Sequence, residues 1–134
     1  MAKYPYLLLP TSDGKGVYKP LVQVRLSYPK THKVTDSIWA LIDSGADVCF
    51  CQKDIGIWLG INFKNKKDVS FKAANKQEFT AVNEILNIHV SGKRYNCTFY
   101  FASELAYPII LGQNGFFNHF KVSFDLRNKE IEMK

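Results

Sequence analysis

Alternation restricts this chain more than any other feature. Val22, Val24, Leu26 and Tyr28 alternate with Gln23, Arg25 and Ser27, and Tyr95, Cys97, Phe99 and Phe101 repeat the pattern later. A period of two sends each set to one face of a strand, which predicts half-buried β-structure. Val69 and Phe71 start a further stretch, and Val82, Leu86, Ile88 and Val90 run into Ser91-Gly92, a tight-turn signal. At the end, Val122 and Phe124 lead around Arg127-Asn128 to Ile131 and Met133, the pattern of a hairpin. Helix has little room. Gln52 to Leu59 allows one or two turns, although Gly56 weakens them, and Phe116, Phe117 and Phe120 are spaced to share one face of a short helix over Gln113 to Phe120. The expectation is a mainly β, all-β class fold with one or two short helices.

A length of 134 residues suits one domain, spanning 1–134. Hydrophobic residues at 46% and charged residues at 22% exclude a disordered tail, and ten Phe and seven Tyr favour strands. The net charge of +6 suits an anionic partner. Lys64, Lys66, Lys67, Lys72 and Lys76 nevertheless lack interleaved stacking residues, so they read as a solvated face and nucleic acid is not expected. The three cysteines (Cys49, Cys51, Cys97) and three histidines (His32, His89, His119) match no zinc spacing, and the cysteines read as small buried apolar residues. No stretch approaches the ~18 apolar residues of a spanning helix. The chain therefore reads as cytoplasmic, or as a soluble domain of a larger protein.

Two short apolar runs each end at a glycine turn. Ile38-Trp39-Ala40-Leu41-Ile42 reads as a strand buried on both faces and continues into Asp43-Ser44-Gly45-Ala46-Asp47; Ile109-Ile110-Leu111 ends at Gly112. A carboxylate at the end of a buried strand sits where burial of charge is costly unless hydrogen bonds offset it. Gly45 lets the backbone turn sharply there. An Asp-Ser-Gly turn alone is weak evidence, since Asp, then Ser or Thr, then Gly arises by chance in about one chain in fifteen of this size.

Together and in this order, the two runs resemble the retroviral-type aspartic proteases, the retropepsins and their relatives, over Leu21 to Met133. The resemblance implies a closed acid-protease barrel, a homodimer, a polypeptide substrate held extended, and neither metal nor organic cofactor. It makes Asp43 the catalytic aspartate, Ser44 the hydroxyl bracing the catalytic loops, and Gly45 a neighbour of the substrate backbone. Ala46, Asp47, Ile110, Leu111 and Gly112 become substrate-binding positions. The segment from Lys72 to Phe79 becomes the flap, with Ala74 and Asn75 contacting substrate and Asn75 suited to a left-handed conformation. Leu41, Ile85 and Ile109 are expected to wall the cleft.

Two departures stand out. The flap turn Ala74-Asn75-Lys76-Gln77 lacks the usual glycine, and Gln113 occupies a position where relatives often carry Arg, leaving Gln113 to hydrogen-bond Asp47. The chemistry needs two aspartates, whereas only Asp43 has the Asp-Ser-Gly setting, so a second chain must supply the other. The apolar ends, Tyr4 to Leu9 and Ile131 to Met133, are expected to pair across subunits. The competing expectation is a catalytically weak or inactive module of the same fold that binds peptides and dimerises.

Overall fold

The computed structural model describes residues 2–134. Among them are thirteen strands and one helix: β1 (Ala2–Pro5), β2 (Leu7–Leu9), β3 (Val17–Lys19), β4 (Leu21–Tyr28), β5 (Lys33–Val34), β6 (Ile38–Ile42), β7 (Cys49–Gln52), α1 (Lys53–Trp58), β8 (Val69–Lys72), β9 (Glu78–Val90), β10 (Lys93–Ala102), β11 (Ile109–Leu111), β12 (Val122–Asp125) and β13 (Glu130–Met133). Six strands close on themselves in the order β4-β6-β11-β7-β10-β9, with β9 returning to β4 through Leu26 opposite Ile88. Closure removes the open edges that would invite aggregation. The alternating positions fill the interior: Val22, Val24, Leu26, Leu86, Ile88, Phe99 and Phe101 are all buried.

The run Ile38 to Ile42 departs from expectation. Ala40 and Ile42 are buried, but Trp39 is 42% exposed and Leu41 half-buried, so β6 is covered on one face only. Its neighbours explain this, because β6 lies between antiparallel β4 and parallel β11, with one face toward the barrel interior and the other outward. In β11 the pattern is the same: Ile109 and Leu111 are buried and Ile110 is half-buried.

Only one of the two expected helices forms. In α1, Gly56 is the buried residue, and a Cβ there would lie 2.7 Å from Phe63 Cζ and 2.9 Å from the Phe101 ring. The residue that weakened the helix on propensity is thus the one that lets it pack. Gln113 to Phe120 forms consecutive turns instead of a helix. Gly115 breaks the periodicity at φ +117°, pressed between the Cys49 and Cys97 sulfurs, each 3.0 Å from where its Cβ would be. Phe116 and Phe120 still reach the core, their rings 5.1 Å apart, with Phe117 packed against it.

The apolar ends are also paired differently from the expectation. β1 runs antiparallel to β13 of the same chain, Tyr4 opposite Ile131, and β13 pairs with β12. Ile131 and Met133 are fully buried in this way without a second copy.

Candidate active site

Asp43 follows β6 directly. Its backbone N–H donates to the Leu111 carbonyl at 2.9 Å, and its own carbonyl accepts from Ala46 N at 3.1 Å, closing the Asp43–Ala46 turn. The carboxylate is half-buried, and Oδ1 accepts the Gly45 N–H at 2.9 Å. An Asp side chain that bonds backbone two residues on is held in one orientation by its own turn. Among the described residues its Oδ2 makes no hydrogen bond.

The second motif locks into the first. Gln113 N donates to Ala46 O at 2.8 Å, and Asn114 N donates to Asp47 O at 2.9 Å. Gly112 is where the loops press together: a Cβ there would collide with the Val48 and Ala46 carbonyl oxygens. Its N–H points to Cys49 Sγ at 3.4 Å. Beneath it the free Cys49 and Cys97 thiols are neighbours; hydrogen bonding between them pushes the Cys49 thiol down and, with burial, the Cys97 thiol up. Among the expected site residues, Asp43 to Asp47 and Ile110 to Gly112 therefore come together as one interlocked pair of loops.

The Gln113 side chain does not take up Asp47. Its Nε2 donates to the Ser44 carbonyl at 2.8 Å, so it ties the two loops where an Arg pair was the alternative. The Asp47 side chain is exposed. Ser44 is exposed as well, and among the described residues its hydroxyl makes no hydrogen bond within the chain. Leu111 and Gly112 are buried, so in the second motif only Ile110 offers side-chain surface to a cleft. Ile109, expected in the cleft wall, is fully buried, whereas Ile85 is 55% exposed.

The hairpin of β8 and β9 carries Ala74 and Asn75 at its turn, both exposed. The turn closes through Ala73 N to Gln77 O at 2.8 Å and Lys76 N to Ala73 O at 2.9 Å. Asn75 caps it, Oδ1 accepting Gln77 N at 3.0 Å, while Lys76 and not Asn75 takes the left-handed conformation, at φ 65°. One pair back from the turn, Phe71 packs edge-on against Phe50 at 5.1 Å and Tyr100 at 5.2 Å, and stacks on Phe79 at 5.6 Å. Sequence reasoning missed this aromatic anchor, whose only signal was the density of Phe and Tyr.

No family model and no curated protein matches this sequence. Solved structures do match the fold, two of them retropepsin-type proteases. A retropepsin-like aspartic protease from Rickettsia conorii superposes with a TM-score of 0.62 at 16% identity, covering 98% of this chain and 91% of that one. EIAV protease, in complex with the inhibitor HBY-793, superposes with a TM-score of 0.54 at 15% identity, covering 71% of this chain and 82% of that one. A closed barrel, an Asp-Ser-Gly turn hung from a Leu-Gly turn, and these superpositions together give the chain a retropepsin-like fold.

Proposed function

We propose that this chain is one half of an aspartic endopeptidase, active as a homodimer in which Asp43 of each copy contributes one carboxyl to a shared centre. The observation that carries the reading is the Asp43 carboxylate, oriented by the Gly45 N–H on a backbone whose own Asp43 N–H donates to the Leu111 carbonyl, within a retropepsin-like fold. Two carboxyls in contact cannot both ionise, so the pair holds one proton. The ionised member takes a proton from water as its oxygen bonds the peptide carbonyl carbon, and the protonated member donates to the carbonyl oxygen. The C–N bond then breaks as a proton passes to the leaving nitrogen. Ser44, exposed and without a partner in its own chain, would bond across the two-fold axis. Leu41 and Ile110 would meet apolar side chains beside the scissile bond, and the exposed backbone of the Ala74–Asn75 turn would face an extended substrate.

Asp43→Asn tests this. The amide neither accepts the water proton nor shares one with its twin, so hydrolysis of an unfolded protein substrate should vanish, with circular dichroism unchanged. Wild-type activity should be blocked by a statine-type inhibitor and form a bell on the acidic side of neutrality. Equal activity in a contaminant-free Asp43→Asn preparation would overturn the reading.

A second reading is a peptide-binding module with little turnover. The hairpin favours it, being anchored by Phe71 and Phe79 and lacking glycine at its turn. Saturable, inhibitor-competed peptide binding without hydrolysis at any pH would select this reading.

A further inference from the structure

Antiparallel register sets Arg25 of β4 opposite His89 of β9, and the same His89 opposite Arg94 of β10. Directly opposed residues share a face with Cβ atoms about 5 Å apart, so two guanidinium side chains flank one imidazole. Nothing acidic relieves this row. Among the described residues neither guanidinium meets a carboxylate, and the ion pairs present run from Lys30 and Lys66 to Glu84 elsewhere. Arg25 donates only Nε, to the Thr35 carbonyl at 3.2 Å, and His89 Nε2 lies 3.2 Å from Ser27 Oγ. Burial first, then the charges of Arg94 and Arg25, hold the imidazole below its ordinary 6.5.

The row opens onto a cleft of about 550 Å³ that has no Asp or Glu in its lining and whose other walls include Tyr4, Leu21 and the exposed indole of Trp39. Lys93 also borders it, but sends its ammonium to the His119 carbonyl at 3.2 Å and over the Phe120 ring. Leu21 stands opposite Leu41, so the cleft begins about 7 Å along the strand direction from Asp43, and Arg25, one position beyond Val24 opposite Ile38, marks its cationic end at about 20 Å.

We propose that this cleft docks an acidic segment of polypeptide, carboxylates on Arg25 and Arg94 and an apolar side chain against Trp39. Cations gathered at one end with apolar walls beyond suit a carboxylate beside an apolar residue. A nucleic acid would call for cations spaced along its phosphates. Docking itself is independent of catalysis. That the segment belongs to the substrate, anchored several residues from the scissile bond, rests on the endopeptidase reading above.

The experiment uses full-length Asp43→Asn protein, so that binding is read without turnover. Fluorescein-labelled peptides alternating Glu with Leu and Phe are titrated by anisotropy, beside the same peptides with Gln for Glu and a single-stranded oligonucleotide of equal length. The acidic peptide should bind at least about tenfold more tightly than the Gln peptide and the oligonucleotide, a difference that shrinks as salt rises. Arg25→Gln/Arg94→Gln, both exposed positions, should remove the preference. The Trp39 and His89 NMR signals of the parent protein should shift on binding. His89 faces Arg25, Arg94 and the Ser27 hydroxyl, and a bound carboxylate should raise its titration midpoint. Equal affinity for the Gln peptide, tighter binding of the oligonucleotide, or shifts confined to the Asp43 loops would overturn the proposal. Should docking succeed while the parent enzyme hydrolyses nothing, the cleft stands and only its link to substrate fails.

Discussion

Gly112 shows how much one hydrogen can decide. It sits against the Val48 and Ala46 carbonyl oxygens, which are backbone atoms already engaged in the loop crossing and unable to move aside. Gly112→Ala should cost about 3 kcal/mol or more, measured by urea denaturation, and should remove activity together with stability. Glu84 makes a different residue-scale prediction. Burial works to raise its carboxyl, but the Ile85 N–H, the Tyr28 hydroxyl and Lys66 outweigh it and hold it below 4.5. A carboxyl lowered on folding contributes stability above its unfolded value and loses it as pH falls through the folded one. Glu84→Gln should therefore flatten the loss of thermal midpoint below about pH 4.5 and matter least in that acid range. Tyr28, pushed up to about 12 by burial and then by Glu84, works in the opposite direction: its contribution, fully present below 10, is lost as pH rises from there through about 12.

The β8–β9 hairpin is the element on which turnover and simple binding part ways. It is joined to the body through aromatic contacts of Phe71 with Phe50 and Tyr100, besides the continuation of β9 into the barrel. Phe71→Ala should destabilise by about 2 kcal/mol, less than a fully buried Phe because Phe71 is only half-buried. Hydrogen exchange should quicken from Val69 to Phe79 while β10 and β11 keep their protection. Equal protection throughout would mean that the ladder to β9, and not the aromatic cluster, fixes the hairpin. Helix α1 is coupled to the core in a comparable way, through the close approach of Gly56 to Phe63 and Phe101.

For the whole molecule, one Asp43 per chain would make activity a property of the pair if the proposed endopeptidase reading holds. Specific activity should fall on dilution through the dimer dissociation constant, and excess Asp43→Asn chain should poison the wild type, since each mixed dimer holds one competent carboxyl. Ser44→Ala should weaken association by about 1 kcal/mol, seen as a shifted dissociation constant in sedimentation. Constant specific activity from a species that sediments as a monomer would defeat the dimeric mechanism. Self-pairing of β1 with β13 bears on how copies meet. The terminal strands already satisfy each other, so a second copy would meet the remaining edge of β12 or β1, or the loops at Ser44. Among the described residues no helix is long and apolar enough to cross a membrane.

Much of this was legible in the residues themselves. Alternation at Val22 to Tyr28 and Tyr95 to Phe101 determines strands and their inward faces, because pleating obliges neighbours to opposite sides whatever the partner strand. The order of the Asp43-Ser44-Gly45 and Leu111-Gly112 turns was equally local, being written in adjacent letters. What only the tertiary structure decided are the relations between distant segments. Gly115 ends a helix that the Phe116, Phe117 and Phe120 spacing favours, because two cysteine sulfurs leave no room for a Cβ. Gln113 turns to the Ser44 carbonyl, 69 positions away in sequence. β6 is open on one face because it lies in the barrel wall between β4 and β11, and β1 pairs with β13 of its own chain. Short-range sterics set the period of each strand; packing across the barrel chose its neighbours, and no spacing along the chain encodes that choice.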